Sequence, residues 1–287
     1  MKKEGNVMRT GILIPLKKNF EKQINHAVSL GFVSGQISVW DMSLYNRDIA
    51  EKIKALTKGM NFDITAVWCG WTGPVDWSYP GMYETLGLVP EWLRAQRISD
   101  LLKGAEFANQ LGIKTIVTHI GCVPDNPFDP VRRGIEKALK YLCAELKKES
   151  QIFAFETGEE LPVTLVQIIS EIGKGNAGVN FDPANFIING RGNPTEALSL
   201  LLPYIKGVHA KDAVYPVGKN PQGMETAIGK GAVDFRKIIQ MLHDSGYKGD
   251  LSIEREISEG SERDKDIIES KTYLDGIIGE VTKGVNK

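Results

Sequence analysis

Short apolar runs alternate with longer amphipathic runs from one end of the 287-residue chain to the other, eight times over. The runs Gly11–Ile14, Gln36–Trp40, Phe62–Cys69, Ile113–Thr118, Ile152–Phe155, Ala177–Phe181, Ile205–Val208 and Asp250–Ile253 read as strands. Between and after them, Phe20–Leu30, Arg47–Thr57, Leu93–Gln110, Val131–Lys148, Val163–Ile172, Thr195–Leu202, Phe235–Ser245 and Ser261–Glu280 carry helical periodicity. Continuous apolar strands such as ITAVW and TIVT suit a parallel sheet buried on both faces. Strict alternation leaves an open doubly wound sheet or a closed barrel, and eight units favour closure. The expected fold is α/β, a (β/α)8 barrel forming a single domain over residues 1–287. Such a barrel takes about 250 residues, so one domain fits the length with little to spare.

The connections are unequal. Those after strands are long (Gly70–Pro90, Gly121–Pro130, Lys211–Val233), whereas those before strands are short and glycine-bounded. In a barrel the loops after the strands build the active face, so one end is expected to be plain and the other functional. The apolar stretch Gly81–Pro90 reads as a lid or an interface segment.

Net charge is -1, without the basic surplus that phosphate contacts demand, so no nucleic-acid partner is expected. Cys69, Cys122 and Cys143 are odd in number and form no C-x-x-C pair, which points away from disulfides and toward a reducing compartment. The N-terminal apolar run is too short for a secretion signal, and no stretch approaches 18 apolar residues. A cytoplasmic protein with no membrane partner is expected, and association into a homo-oligomer is left open.

The last four strands end on ionisable residues. FAFE gives Glu156, VNFD gives Asp182, GVHAKD gives His209 and LSIE gives Glu254. Any one of these could be a loop residue, a helix cap or a core histidine. Four consecutive strand ends of ligand type are expected to converge on one divalent ion, since unpaired buried carboxylates are costly. Three carboxylates and one imidazole suit Mn²⁺ first, with Mg²⁺, Co²⁺ or Zn²⁺ as alternatives. His119 ends the fourth strand and is a further candidate, or a packed histidine. Trp40, Trp68, Trp71 and Trp77 lie at or after strands two and three, as a pocket wall or as packing. Lys211 follows His209 by two residues and could hold a substrate oxygen or phosphate. Arg191, Lys219, Lys230 and Arg255 are further loop cations. Arg255 would point away from the site if its strand continued.

At these residues the chain resembles the xylose isomerase-like TIM-barrel superfamily, in particular the sugar phosphate isomerase/epimerase type. The motifs are FAFETGE, NFDPANF, GVHAKD, GKGAVDF and SIERE. The resemblance implies metal ligands at Glu156, Asp182, His209 and Glu254, with Glu156 and Glu254 also acting as acid and base. It implies substrate contacts at His119, Lys211, Asn185 and Trp68, and a small carbohydrate as substrate. The implied activity is metal-dependent isomerisation or epimerisation of a sugar or sugar phosphate, through proton abstraction beside a metal-bound carbonyl and an ene-diolate. A lyase of the inosose dehydratase type is the alternative. Relative to free-ketose 3-epimerases, Asn185 stands in place of a histidine, Tyr215 of an arginine and Pro162 of a glutamate, with Glu159 and Glu160 nearby. Endonuclease IV, another relative, builds a three-zinc site from many histidines. This chain has only His26, His119, His209 and His243. A non-catalytic sugar-binding barrel is disfavoured because all four ligand positions are intact.

Overall fold

A computed structural model describes residues 8–284. Positions 1–7 and 285–287, which the single-domain reading and the N-terminal reading include, lie outside the described residues. Eight parallel strands close into a barrel: β1 (Arg9–Leu16), β2 (Ser34–Val39), β3 (Asp63–Cys69), β4 (Thr115–Thr118), β5 (Ile152–Glu156), β6 (Ala177–Phe181), β7 (Ile205–Ala210) and β10 (Asp250–Ile253). Neighbours around the barrel run β1-β10-β7-β6-β5-β4-β3-β2. The strands that end on Glu156, Asp182, His209 and Glu254 are therefore consecutive around the ring.

The expected helices all form: α1 (Phe20–Ser29), α2 (Arg47–Met60), α4 (Glu91–Leu111), α5 (Pro130–Lys148), α6 (Pro162–Ile172), α8 (Pro194–Leu201), α9 (Phe235–Asp244) and α10 (Ser261–Lys283). Prolines at the first turn of α5, α6 and α8 suit a position whose N–H needs no intrahelical partner. A count of eight strands and eight helices is nevertheless too low. The long loops contain the short helices α3 (Met82–Thr85) and α7 (Pro183–Ile188) and an antiparallel ribbon of β8 (Asp212–Val214) with β9 (Met224–Thr226). These pieces are too short to carry a periodic signal.

Strand parity separates the packing from the chemistry. Phe153 and Phe155, Val179 and Phe181, Val208 and Ala210, Leu251 and Ile253 join the layer between sheet and helices. Side chains alternate across a strand, so Ala154, Asn180, Gly207, His209 and Ser252 face the barrel interior, and Glu156 shares that parity. The segment Gly81–Pro90 is anchored to the barrel by its apolar side chains. Met82, Leu86 and Leu88 are buried. The buried Arg97 of α4 fixes this segment by donating to the carbonyls of Thr72, Pro74, Thr85 and Gly87 at 2.6–3.1 Å.

Glycine at 35 is dictated by a close approach, because a Cβ there would lie 2.0 Å from the Ile12 carbonyl oxygen of the neighbouring strand. Gly35→Ala is expected to lose about 1–3 kcal/mol, the usual cost of overpacking, read as a lower urea midpoint. An unchanged midpoint would contradict this register. All three cysteines are free and buried. Burial pushes the thiols of Cys69 and Cys143 up to about 12. A thiol reagent at pH about 8 is expected to leave the native protein untouched and to label all three residues after unfolding.

Candidate active site

Each ligand-type side chain is placed by its own local device. Asp182 follows β6 and is the N-cap of α7. Its Oδ1 accepts from the backbone N–H groups of Ala184 (2.8 Å) and Asn185 (3.1 Å). Thr157 braces it, accepting from the Asp182 N–H and donating to the Asp182 carbonyl. The other oxygen, Oδ2, is buried without a hydrogen-bond partner. Capping thus fixes the carboxylate and leaves one oxygen aimed into the barrel.

His209 is fully buried. Its Nδ1 lies 2.8 Å from Glu156 Oε1 and 3.2 Å from Glu254 Oε2, and its Nε2 lies 3.1 Å from Gln36 Oε1. Gln36 is oriented by donating to Asn180 Oδ1 at 2.9 Å. A Cβ at Gly207 would sit 2.3 Å from that same Asn180 oxygen, so glycine there admits the pair. An acceptor on Nε2 keeps a proton there, so that when the Nδ1 proton leaves, its lone pair faces the carboxylates, a common arrangement for a metal-ligating histidine. The Trp68 indole N–H donates to Glu156 Oε2.

One ligand atom from each of Glu156, Asp182, His209 and Glu254 lies within 4.8 Å of every other. Atoms bound to one ion at about 2.2 Å can be at most about 4.4 Å apart, so the set is near coordinating geometry. The orphaned Asp182 Oδ2 and, once its proton has left, His209 Nδ1 are the donors an ion would take. The group therefore fits a divalent cation.

Charges shift as this crowding requires. Burial pushes the Asp182 carboxyl well above its usual range, and although Lys211 opposes this, Glu254 and Glu156 reinforce it. Burial alone would lower the His209 pKa, but Glu156 and Glu254 outweigh it and hold the imidazole well above its ordinary value. Glu254 is held low despite burial, by Lys211 and His209. Glu156 is likewise held low against burial by His209 and His119.

The cavity above the group has a volume of about 720 Å³. Trp68, His119, Asn185 and Lys211 all line it, as do Glu156 and Glu254. Their contacts are specific. His119 Nδ1 is 2.8 Å from Glu159 Oε2, and its Nε2 is 3.6 Å from Glu156 Oε2. Lys211 donates to Glu256 and lies 3.5 Å from Glu254. Asn185 donates its side-chain N–H to the Thr157 carbonyl at 3.2 Å. Arg255 also lines the cavity, because β10 ends at Ile253 and strand alternation does not reach it. Arg255 is held by Glu225 at 2.8 Å and Asp266 at 2.9 Å.

Several contributors escaped sequence reading. Gln36 and Asn180 orient His209 from other strands, and no local pattern marks them. Glu159 was named only as a neighbour of Pro162, without its partner His119. The GVHAKD and GKGAVDF motifs are one device, in which Asp212 accepts from the N–H groups of Ala213, Gly229, Gly231 and Val233 and pins the loop after β7.

Comparison with known proteins agrees with this architecture. A Planctomyces limnophilus xylose isomerase domain protein superposes with a TM-score of 0.91 at 28% identity, covering 96% of this chain and 99% of that one. At 16% identity, where only the fold is informative, two further barrels match with TM-scores of 0.70. One is a Mycobacterium smegmatis xylose isomerase-like TIM-barrel protein solved with magnesium (91% and 89% covered). The other is the E. coli 3-keto-D-glucoside 4-epimerase (94% and 99% covered). An uncharacterized protein of Methanocaldococcus jannaschii is 26% identical over 202 residues, 66% of this chain and 64% of that relative's length. Residues 24–276 match the family described as xylose isomerase-like TIM barrel, and the chain belongs to that family.

Proposed function

We propose that this chain, acting as one domain, is an enzyme that isomerises or epimerises a small sugar by moving a proton at a carbon beside its carbonyl. The observation that carries this reading is the convergence of Glu156 and Glu254 on the same nitrogen, His209 Nδ1, at the floor of one cavity. The similarity of the fold to sugar epimerases agrees with it.

Glu156, Asp182, His209 and Glu254 would hold a divalent ion, with Mn²⁺ as our first choice. When bound, it would supply Lewis-acid polarisation of the substrate carbonyl. Glu156 and Glu254 are kept ionised by the neighbouring cations, so either can accept a proton from carbon. Removal by one and return by the other, from the opposite face, gives an epimer. Return to the adjacent carbon gives an aldose–ketose pair. Lys211, buried and held cationic by Glu254 and Glu256, and Asn185 would position substrate oxygens. Trp68 holds Glu156 in place and presents its ring to the cavity.

A second reading has a specific observation behind it. His119 is held protonated, with a pKa of about 10, because Glu159 and Glu156 outweigh the effect of burial. A cationic imidazole in the cavity could protonate a departing hydroxyl, which would make the reaction a lyase. A conjugated carbonyl absorbance in the product identifies that outcome.

In heavy water with Mn²⁺, the protein is expected to place deuterium beside the carbonyl of its ketose. Glu156→Gln and Glu254→Gln should each cut the rate by about 100-fold or more. Full activity in both variants would contradict the two-carboxylate scheme. Gln36→Leu is expected to weaken metal affinity by about 10–100-fold, because the His209 tautomer is no longer fixed. Metal affinity should also rise with pH between about 6 and 8. His209 and Asp182 both have raised pKa values, so their protons must leave before they ligate. Calorimetry showing proton uptake on binding would have the wrong sign.

A further inference from the structure

We infer that the substrate is an uncharged sugar rather than a sugar phosphate, laid against the tryptophan wall formed by Trp40 and Trp77; this rests on the reading proposed above. Besides the His119 imidazole, which already meets Glu159 and Glu156, four cationic residues line the cavity, Lys17, Lys211, Arg255 and Arg263. Three already face carboxylates. Lys17 meets Glu259 at 2.5 Å, Lys211 meets Glu254 and Glu256, and Arg255 meets Glu225 and Asp266. The fourth, Arg263, donates its Nε to the Arg255 carbonyl at 2.9 Å and lends its charge to Glu259. Five glutamates share the same lining: Glu156, Glu159, Glu254, Glu256 and Glu259. A phosphate dianion at Lys17, Lys211 or Arg255 would have to displace a carboxylate partner, and at any of the four it would sit among the glutamates, which opposes binding.

A helix N-terminus offers no way around this. The start of α10 adjoins the cavity at Glu259 and Arg263, and its first turn carries Glu262 and Asp264. Those side chains already complement the helix dipole and would repel an anion.

The cavity also has the surface an uncharged ring needs. Trp40, Trp68, Trp71 and Trp77 form a continuous aromatic cluster, with ring centroids 5.0–6.4 Å apart. Trp68 and Trp71 are buried supports, whereas Trp40 and Trp77 are 42% and 43% exposed. Trp77 also stands 5.0 Å from the His119 ring, so the wall reaches down to the ionisable floor. The C–H face of a pyranose or furanose is apolar and stacks on an indole, while its hydroxyl edge remains free for the polar side chains beneath. Trp77 is fixed in place because its carbonyl accepts from Gln222, which also bonds Asn189 and the Tyr79 N–H.

Four of the five tryptophans lie in this cluster, so intrinsic fluorescence reads the site without any turnover. Mn²⁺-loaded protein would be titrated with matched pairs, D-fructose against D-fructose 6-phosphate and methyl β-D-glucoside against D-glucose 6-phosphate. The expected result is saturable quenching by a neutral member, with its phosphate at least tenfold weaker. Inorganic phosphate should fail to compete, and Trp77→Ala and the milder Trp77→Phe should lower neutral-sugar affinity in that order. Tighter binding of a phosphate, displacement by inorganic phosphate, or no quenching by either member of both pairs would overturn the inference. Preference for a phosphate combined with normal metal loading and deuterium exchange would overturn it while leaving the proton-transfer reading intact. Loss of the exchange itself would sink both.

Discussion

Three carboxylates converge on one hole at the end of the barrel, and their mutual repulsion is what the surrounding structure answers. Glu156, Asp182 and Glu254 bring ligand atoms within 4.8 Å of one another, with two of the three fully enclosed. Like charges at such distances inside a protein are strongly unfavourable unless cations or hydrogen-bond donors offset them. His209 enters between two of the acids, and His119 approaches Glu156 from the far side. Lys211 closes the ring from the loop after β7, and α7 supplies two N–H groups to Asp182. Asp182 Oδ2 still has no protein partner. A divalent cation at that point would complete the neutralisation the side chains leave unfinished.

The barrel supplies the convergence without special geometry. The four contributing strands, β5, β6, β7 and β10, are consecutive around the ring, so side chains of inward parity at their ends meet near the axis. Outward parity on the same strands is filled by phenylalanine and branched aliphatic residues packed beneath the helices. A one-residue shift of any of these strands would turn its ligand into the helix layer and a large apolar side chain into the site, which is why register and chemistry are inseparable here. The cavity is lined by glutamates, by cations paired with carboxylates, and by indole rings.

The strands and the four converging side chains were legible because both rest on short-range signals: an apolar run, and the ionisable residue that ends it. The supporting residues were not. Gln36 reaches His209 across 173 positions of sequence, and Arg97 reaches back to loop carbonyls that have no pattern of their own. Glu256 has no sequence signal of its own and is set against Lys211 only by the fold. Alternation is a property of strands alone, and the strand before Arg255 stops two residues earlier, which leaves that side chain free to face the cavity. The hairpin β8–β9 is three residues a side, held by tertiary contacts rather than by propensity.

We propose that these four side chains together hold one divalent ion. Elemental analysis of the purified protein and of His209→Ala, each incubated with Mn²⁺ and then desalted, tests it directly. About one metal per chain in the parent protein, lost from a variant that still melts cooperatively, is the predicted result. No metal in either protein, or equal metal in both, would contradict it.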